Sequence, residues 1–196
     1  MNRILILFAH PALEKSRVQR RLIKAAEAID EITIHDLYET YPDFMIDVPA
    51  EQSRLLEHDL ILFQHPLYWY SCPSLLKEWL DLVLEYGFAY GREGDALNGK
   101  TLGSIISSGG SRHSYSSDGR NHYSMRELLQ PFDQTARLCG MQYLPPFTVH
   151  RTHDMHDSVI DNHAEQYRQI LWRLQRGLPS QDEIASLEYL NDWAAN

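Results

Sequence analysis

The sequence predicts an α/β fold: a doubly wound, five-stranded parallel sheet in a single domain spanning residues 1–177, followed by a C-terminal tail over 178–196. Three observations predict it. Strand-like apolar segments alternate with helical ones along the chain. Two of them, Arg3–Ala9 and Asp59–Gln64, are continuous apolar runs, the pattern of strands covered by helices on both faces. The 196 residues suffice for one well-buried core and not for two.

Each element follows in order. Arg3–Ala9 (RILILFA) is the first strand and His10-Pro11 stops it. Val18, Leu22, Ala25, Ala26 and Ile29 then recur at helical spacing. In Glu31–Tyr38 (EITIHDLY), Ile32 and Ile34 alternate with Thr33 and His35, so this strand is less buried and lies nearer an edge. Asp59–Gln64 is the third strand, ended by His65-Pro66. A strong helix follows, with Pro73 in its first turn and Leu75, Leu76, Trp79, Leu80, Val83 and Leu84 as its stripe. Lys100–Ser107 is the fourth strand and runs straight into Ser108-Gly109-Gly110. Ser124–Cys139 is helical, with a kink or an end at Pro131. Met141–Val149 is a fifth strand, broken or bulged at Pro145-Pro146. Asp157–Arg176 closes the domain as a helix, and the tail beyond Gly177 has short helical propensity and is expected to be ordered by contacts with a partner subunit.

Bulk properties remove several function classes. The 18 Lys and Arg against 27 Asp and Glu give a net charge of −9, the wrong balance for displacing counterions from nucleic-acid phosphates. Cys72 and Cys139 have no partner spacing, so neither a disulfide framework nor a zinc ribbon is indicated, and reduced thiols in a cytoplasmic protein are expected. The run Ile4–Ala9 is shorter than a signal-peptide core and no small-residue cleavage site follows it. No stretch approaches the length that crosses a bilayer.

Two doubly wound folds compete. A dinucleotide-binding Rossmann domain should carry G-x-G-x-x-G after its first strand, but the turn here, HPALEKSRVQ, contains no glycine. A flavodoxin-like sheet, with its ligand crevice at the carboxyl ends of the strands, remains. Three segments should meet there. In His10–Gln19, Ser16 and Arg17 near a helix start could hold a phosphate through backbone N–H groups, a hydroxyl and a guanidinium, or Ser16 could serve only as a helix cap. In His65–Pro73, the consecutive aromatics Tyr68, Trp69 and Tyr70 cannot all face one core; they suit a planar ring system, or packing against a second subunit. In Ile105–Tyr115, two hydroxyls and two glycines let the backbone approach a ligand closely.

Among ten histidines, His150, His153 and His156 are evenly spaced, with His163 beyond. They follow a strand and are interleaved with Arg151, Asp154 and Asp157, so the segment reads as a solvated loop, and no metal site is expected.

The segments HDLYETYPDFMIDVPAEQ, FQHPLYWYSCPSLLKEWLDLVLEYGFAYG and LNGKTL resemble the bacterial glutathione-regulated potassium-efflux ancillary proteins of the KefF and KefG type. These are similar in turn to the NAD(P)H:quinone oxidoreductases typified by mammalian DT-diaphorase. The resemblance runs from about Ile4 to Leu174. It implies a flavodoxin-like homodimer holding FMN, with FAD as the variant of the mammalian branch, near the subunit interface. It implies that His10 and Ser16, Arg17, Val18 and Gln19 hold the flavin phosphate, that Pro66, Leu67, Tyr68, Trp69 and Tyr70 line the ring, and that Ser107, Ser108, Gly109 and Gly110 complete the ring pocket. It further implies that Tyr115 stands at the redox edge of the flavin and that Tyr90 reaches into the partner's site. The family histidine that works with that tyrosine aligns with Asn121; His122, one place further on, is its candidate replacement.

On this reading the protein is a two-electron reductase that takes hydride from NAD(P)H and delivers it to a quinone or related electrophile. A regulatory subunit of a potassium-efflux antiporter, docked at the inner membrane face with or without that activity, is the second reading. An electron-transfer protein of the flavodoxin kind is the third, disfavoured because its compact Ser/Thr-rich phosphate loop is absent.

Overall fold

The computed structural model describes residues 1–195. β1 (Ile4–Phe8) is buried throughout; a 3₁₀ turn at Leu13–Lys15 leads to α1 (Arg17–Glu27). β2 (Ile32–Asp36) is only partly covered. Its last residue caps α2 (Leu37–Thr40), the Asp36 carboxylate accepting from the N–H groups of Tyr38 and Glu39. α3 (Val48–Leu56), β3 (Leu60–Pro66), α4 (Ser74–Val83) and β4 (Thr101–Ser107) follow. After a 3₁₀ turn at Arg112–Tyr115 come α5 (Met125–Leu128), α6 (Gln130–Leu138), β5 (Gln142–Tyr143) and β6 (Phe147–Val149). α7 (Asp157–Arg176), α8 (Gln181–Ser186) and a 3₁₀ turn at Leu190–Ala195 complete the chain.

The sheet is parallel throughout, in the order β2-β1-β3-β4-β5, with β6 also beside β4. β5 and β6 are the two halves of the fifth strand, parted at Pro145-Pro146, which have no N–H to give to a ladder. Alternation along β1 sorts its side chains: Leu5 and Leu7 enter a core with Trp79, Val83 and Phe132 from α4 and α6, while Ile4, Ile6 and Phe8 enter the opposite core with Leu22, Ile170 and Leu174 from α1 and α7. This is the doubly wound arrangement. Register brings the strand ends level, with Phe8 beside Gln64, Pro66 beside Ser107 and Ser107 beside Val149, so the loops after β1, β3, β4 and β6 open on one edge.

The structure refines or departs from the sequence expectation in four places. The second strand, expected to run to Tyr38, ends at Asp36 and gives way to α2. α3 is an addition to the expected elements; Asp47 caps it by accepting from Ala50 N–H, and Pro49 sits in its first turn. The segment Ser124–Cys139, expected to be helical with a kink or an end at Pro131, is two helices, α5 ending at Leu128 and α6 starting at Gln130 with Pro131 in its first turn. The tail, expected to wait on a partner, folds against its own chain in its described part. Tyr189 and Leu190 are 1% exposed and Trp193 5%. Leu190 N–H donates to Pro146 C=O at 2.9 Å. The Asn191 side chain brackets Thr148, accepting from its N–H at 2.8 Å and donating to its C=O at 3.2 Å. No helix is long and apolar enough to cross a membrane among the described residues.

Candidate functional site

At the carboxyl ends of β1, β3 and β4 lies a cavity of about 410 Å³ lined by His10, Lys15, Ser16, Arg17, Val18, Pro66, Leu67, Tyr68, Ser107, Gly109, Thr152 and His153. The start of α1 forms one wall. Ser16 Oγ accepts from Gln19 N–H at 3.2 Å, which leaves the N–H groups of Arg17 and Val18 without partners inside the helix. No acidic residue occupies the first turn, so the positive end of the helix is free for an anion. His10 accepts from Ala12 N–H at its Nδ1, and burial holds its pKa below the ordinary value against the opposing charge of Glu14, so a neutral ring faces the cavity.

Two residues of this segment act differently from the expectation. The Arg17 guanidinium is engaged with Asp157 at 2.6 Å, and Lys15 is a further cation on the lining. Gln19 is fully buried and its side chain turns inward: Nε2 donates to Ser107 Oγ at 2.9 Å, and Oε1 accepts from Gln64 Nε2 at 2.9 Å. Tyr167 hydroxyl closes the chain by donating to Gln64 Oε1 at 2.8 Å. This buried polar thread ties α1, β3, β4 and α7 together beneath the cavity floor, and full pairing is what makes polar side chains tolerable there. The amide of Gln19 thus supports the start of α1 from below.

A second cavity, about 280 Å³, shares Leu67 and Gly109 with the first and is lined also by Trp69, Tyr70, Gly110, Ser114, Tyr115, Arg120 and Asn121. Its aromatic wall is a tight turn in which Ser71 N–H donates to Tyr68 C=O at 3.0 Å. Both central residues are left-handed, Trp69 at φ 50° and Tyr70 at φ 63°, a geometry that Asn-Gly pairs adopt more easily. Trp69 projects outward, 94% exposed, while Tyr70 hydroxyl reaches Asn121 Oδ1 at 3.3 Å across the cavity mouth. The opposite wall is the Ser108–Tyr115 loop. Gly110 packs on Tyr115 so closely that a Cβ there would lie 2.9 Å from the ring; a Cβ on Gly109 would lie 2.8 Å from His153 Nε2. Tyr115 is buried and its ring lies tilted over His150, with centroids 5.6 Å apart. Ser108 Oγ pairs with His150 Nδ1 at 3.0 Å.

The structure thus brings together His10, Ser16, Arg17, Val18, Pro66, Leu67, Tyr68, Trp69, Tyr70, Ser107, Gly109, Gly110 and Tyr115 along two adjoining cavities. Ser108 is buried beside them. It does not bring His122 there: that residue is exposed, left-handed at φ 61°, and off the lining, whereas Arg120 and Asn121 are on it. Tyr90 lies in a separate, largely apolar cavity of about 380 Å³ together with Cys72 and Cys139; Tyr70 borders both that cavity and the second. Burial raises the pKa of both thiols. The histidine segment is an exposed loop at Arg151, His153, Asp154 and His156, as expected, with His153 also on the lining of the first cavity, but His150 departs by packing on Tyr115. Among the described residues no cluster of three His, Cys, Asp or Glu is placed to hold a metal ion.

The sheet order and crevice already define the fold, and the model of the Flavodoxin_2 family, described as a flavodoxin-like fold, matches residues 2–171. The chain belongs to the Flavodoxin_2 family. Among its relatives, the glutathione-regulated potassium-efflux system ancillary protein KefG of Enterobacter sp. (strain 638) is 45% identical over 165 residues, 84% of this chain and 90% of that protein. The general stress protein 14 of Treponema denticola, solved in complex with FMN, is 41% identical with a TM-score of 0.84, covering 88% of this chain and 99% of that one. An NADPH-quinone reductase of P. pentosaceus is 35% identical with a TM-score of 0.78, covering 85% of this chain and 96% of that one.

Proposed function

We propose that this chain is an FMN-dependent NAD(P)H:quinone oxidoreductase that works as a homodimer, its second cavity receiving a quinone or related electrophile. The observation that carries the reading is the pair of adjoining cavities, with an acid-free helix N-terminus at one end and Tyr115, Arg120 and the Gly109-Gly110 pair at the other. The donor set fits a flavin mononucleotide: N–H groups of Arg17 and Val18, the Ser16 hydroxyl and Lys15 suit its phosphate, and the Tyr68–Ser71 turn and the glycine backbone suit its ring. FMN is proposed ahead of FAD because the Treponema protein solved with FMN is 41% identical to this chain. When bound, FMN supplies the two-electron chemistry, taking hydride from NAD(P)H and giving it to the acceptor.

The protein's part is orientation and charge. Tyr115, on the lining of the second cavity, would donate a hydrogen bond to the edge where negative charge develops, and such preorganised donors contribute about 2.7–4 kcal/mol in other enzymes. Arg120 adds a positive charge to the same cavity. Tyr90, which lines neither of these two cavities, would enter the partner's site. His122 is set aside in this reading in favour of Arg120 and Asn121.

The test is direct. Purified protein loaded with FMN should bleach with NADPH or NADH and recover its colour on adding a quinone; protein that takes up no FMN refutes the reading. A second reading stands beside it, favoured by the similarity to KefG along most of the chain: the protein is an ancillary subunit of a potassium-efflux antiporter, held at the cytoplasmic face of the membrane. Potassium efflux in a deletion strain, complemented with wild type or with Tyr115→Phe, separates regulation from catalysis. Unchanged efflux on deletion ends the second reading.

A further inference from the structure

The family match stops at residue 171, yet the residues beyond it touch the redox wall of the site. Arg112 lies at the start of the 3₁₀ turn that ends in Tyr115. Its guanidinium sits 4.4 Å above the Tyr189 ring and bridges Glu188 at 3.0 Å and Asp192 at 2.9 Å. Tyr189 in turn meets His150 edge to face, with centroids 5.5 Å apart. His150 touches both Tyr115 and Ser108. The result is an unbroken stack of Arg112, Tyr189, His150 and Tyr115, with a side bond to Ser108.

The strap that supplies Tyr189 is fixed independently of the site. Arg126 donates to the carbonyls of Ile184 at 3.3 Å and Leu187 at 2.7 Å. Arg173 lies 4.1 Å over the Trp193 ring, and Trp193 Nε1 donates to Glu183 at 3.1 Å. Asn191 and Leu190 pin the strap to the fifth strand. A ring held so firmly can transmit position to its neighbours, because packed side chains have little room to yield.

We infer that Tyr189 and Arg112 are positioning residues for the proposed reductase site, holding His150 and through it the Ser108–Tyr115 loop in the conformation that presents Tyr115 to the flavin. The inference rests on the reading of Tyr115 at the redox edge. Its structural half, the hold on the loop, stands without it. The Tyr189 hydroxyl is buried and unpaired among the described residues, so the ring and not the hydroxyl does the holding. Tyr189→Phe keeps the ring; Tyr189→Leu removes its edge and the face under Arg112.

Two measurements test this. Hydrogen exchange on flavin-free protein should show the amides of residues 108–115 exchanging about tenfold faster in Tyr189→Leu, with β1 and β3 unchanged and Tyr189→Phe like wild type. On the FMN-loaded enzyme, assayed well below its melting temperature, Tyr189→Leu should lower kcat about threefold to tenfold while changing FMN Kd less than twofold. Arg112→Met, altered at a half-exposed position, should shift both readouts in the same direction and serves if Tyr189→Leu does not fold. Wild-type exchange in the loop of both variants overturns the inference, as does faster exchange with unchanged kcat, which would make the strap a brace only. A wild-type protein that ignores FMN removes the catalytic half of the inference together with the proposed function, and the exchange data then decide the hold on the loop alone.

Discussion

Substituting Gly110 by alanine asks whether the position of Tyr115 is fixed from both sides. The new Cβ would lie 2.9 Å from Tyr115 Cε2 and 3.3 Å from both Cζ and the hydroxyl oxygen. Ordinary van der Waals contact begins near 3.4 Å, so the ring must retreat by about half an ångström. Its room to move is limited, because Tyr115 is buried, His150 packs on it with centroids 5.6 Å apart, and Tyr189 packs on His150 in turn. Overpacking of this kind costs about 1–3 kcal/mol. For a chain of this size that is a fall in Tm of roughly 2–12 °C. Displacing the hydroxyl by half an ångström should also lower kcat about tenfold, scaled from the roughly hundredfold loss that a 1 Å misplacement can cause. Differential scanning fluorimetry on flavin-free protein and steady-state NADPH–quinone assays read the two effects. Gly109→Ala is the control for stability, since its Cβ would meet only the far end of the exposed His153 side chain. A Gly110→Ala protein that melts and turns over like wild type would show the ring free to move and refute the reasoning.

Other expectations concern the floor of the site, the far core and the cavity charge. Tyr167→Phe deprives Gln64 Oε1 of its donor in a fully buried thread and should cost about 1–3 kcal/mol in urea unfolding. Glu51 is buried and takes hydrogen bonds from Tyr41 and Trp79, both at 2.8 Å, with His35 also at 2.8 Å. Desolvation pushes its pKa up, but contacts from His35, Trp79 and Tyr41 outweigh it and the net shift is downward. That contribution is full above the unfolded value of about 4.3 and is lost as pH falls through the lower folded value, so Glu51→Gln should cost about 3–5 kcal/mol at pH 7 and progressively less in acid. Burial lowers His65 to about 4, against an opposing bond to Pro66 C=O, and burial with the charge of Arg112 lowers His150 to about 4. The unfolded chain takes up protons on both from about pH 6.5 downward while the native one does not. Flavin-free protein should therefore lose stability from pH 6.5 to about 4, and His65→Asn should flatten that slope in calorimetry. Arg120→Ala removes positive charge from the second cavity and should lower kcat/KM for the quinone about tenfold, with Tm unchanged because the side chain is exposed and forms no ion pair among the described residues.

The fold is legible because its strands carry their burial in their composition. β1 and β3 are unbroken apolar runs, β2 alternates, and the structure places β2 at an edge. α3 is hard to see in the sequence because Val48, Leu55 and Leu56 make a thin apolar stripe, although Asp47 and Pro49 mark its start. In the site, the turn and loop residues are visible because glycine pairs, Ser before a helix and consecutive aromatics stand out where they follow strand ends. The polar thread is not, since Gln64 in a strand and Tyr167 in a helix look like ordinary residues until four elements converge on them. His150 passes for part of a solvated loop because its cover comes from Tyr189, far along the chain. The Arg17–Asp157 pair is hidden for the same reason of sequence distance.

The way residues 189–191 lie along the fifth strand has a consequence for how the protein behaves in a crowded solution. A sheet edge attracts other strands through its unpaired N–H and C=O groups. Here Pro145 and Pro146 have no N–H to offer, Pro146 C=O is taken by Leu190, and both outward groups of Thr148 are taken by the Asn191 amide. That side of the sheet is closed to recruitment by a single asparagine standing in for a neighbouring strand. A chain cut before residue 189 would keep every strand of the matched family region while acquiring a reactive edge, and it would be prone to self-association.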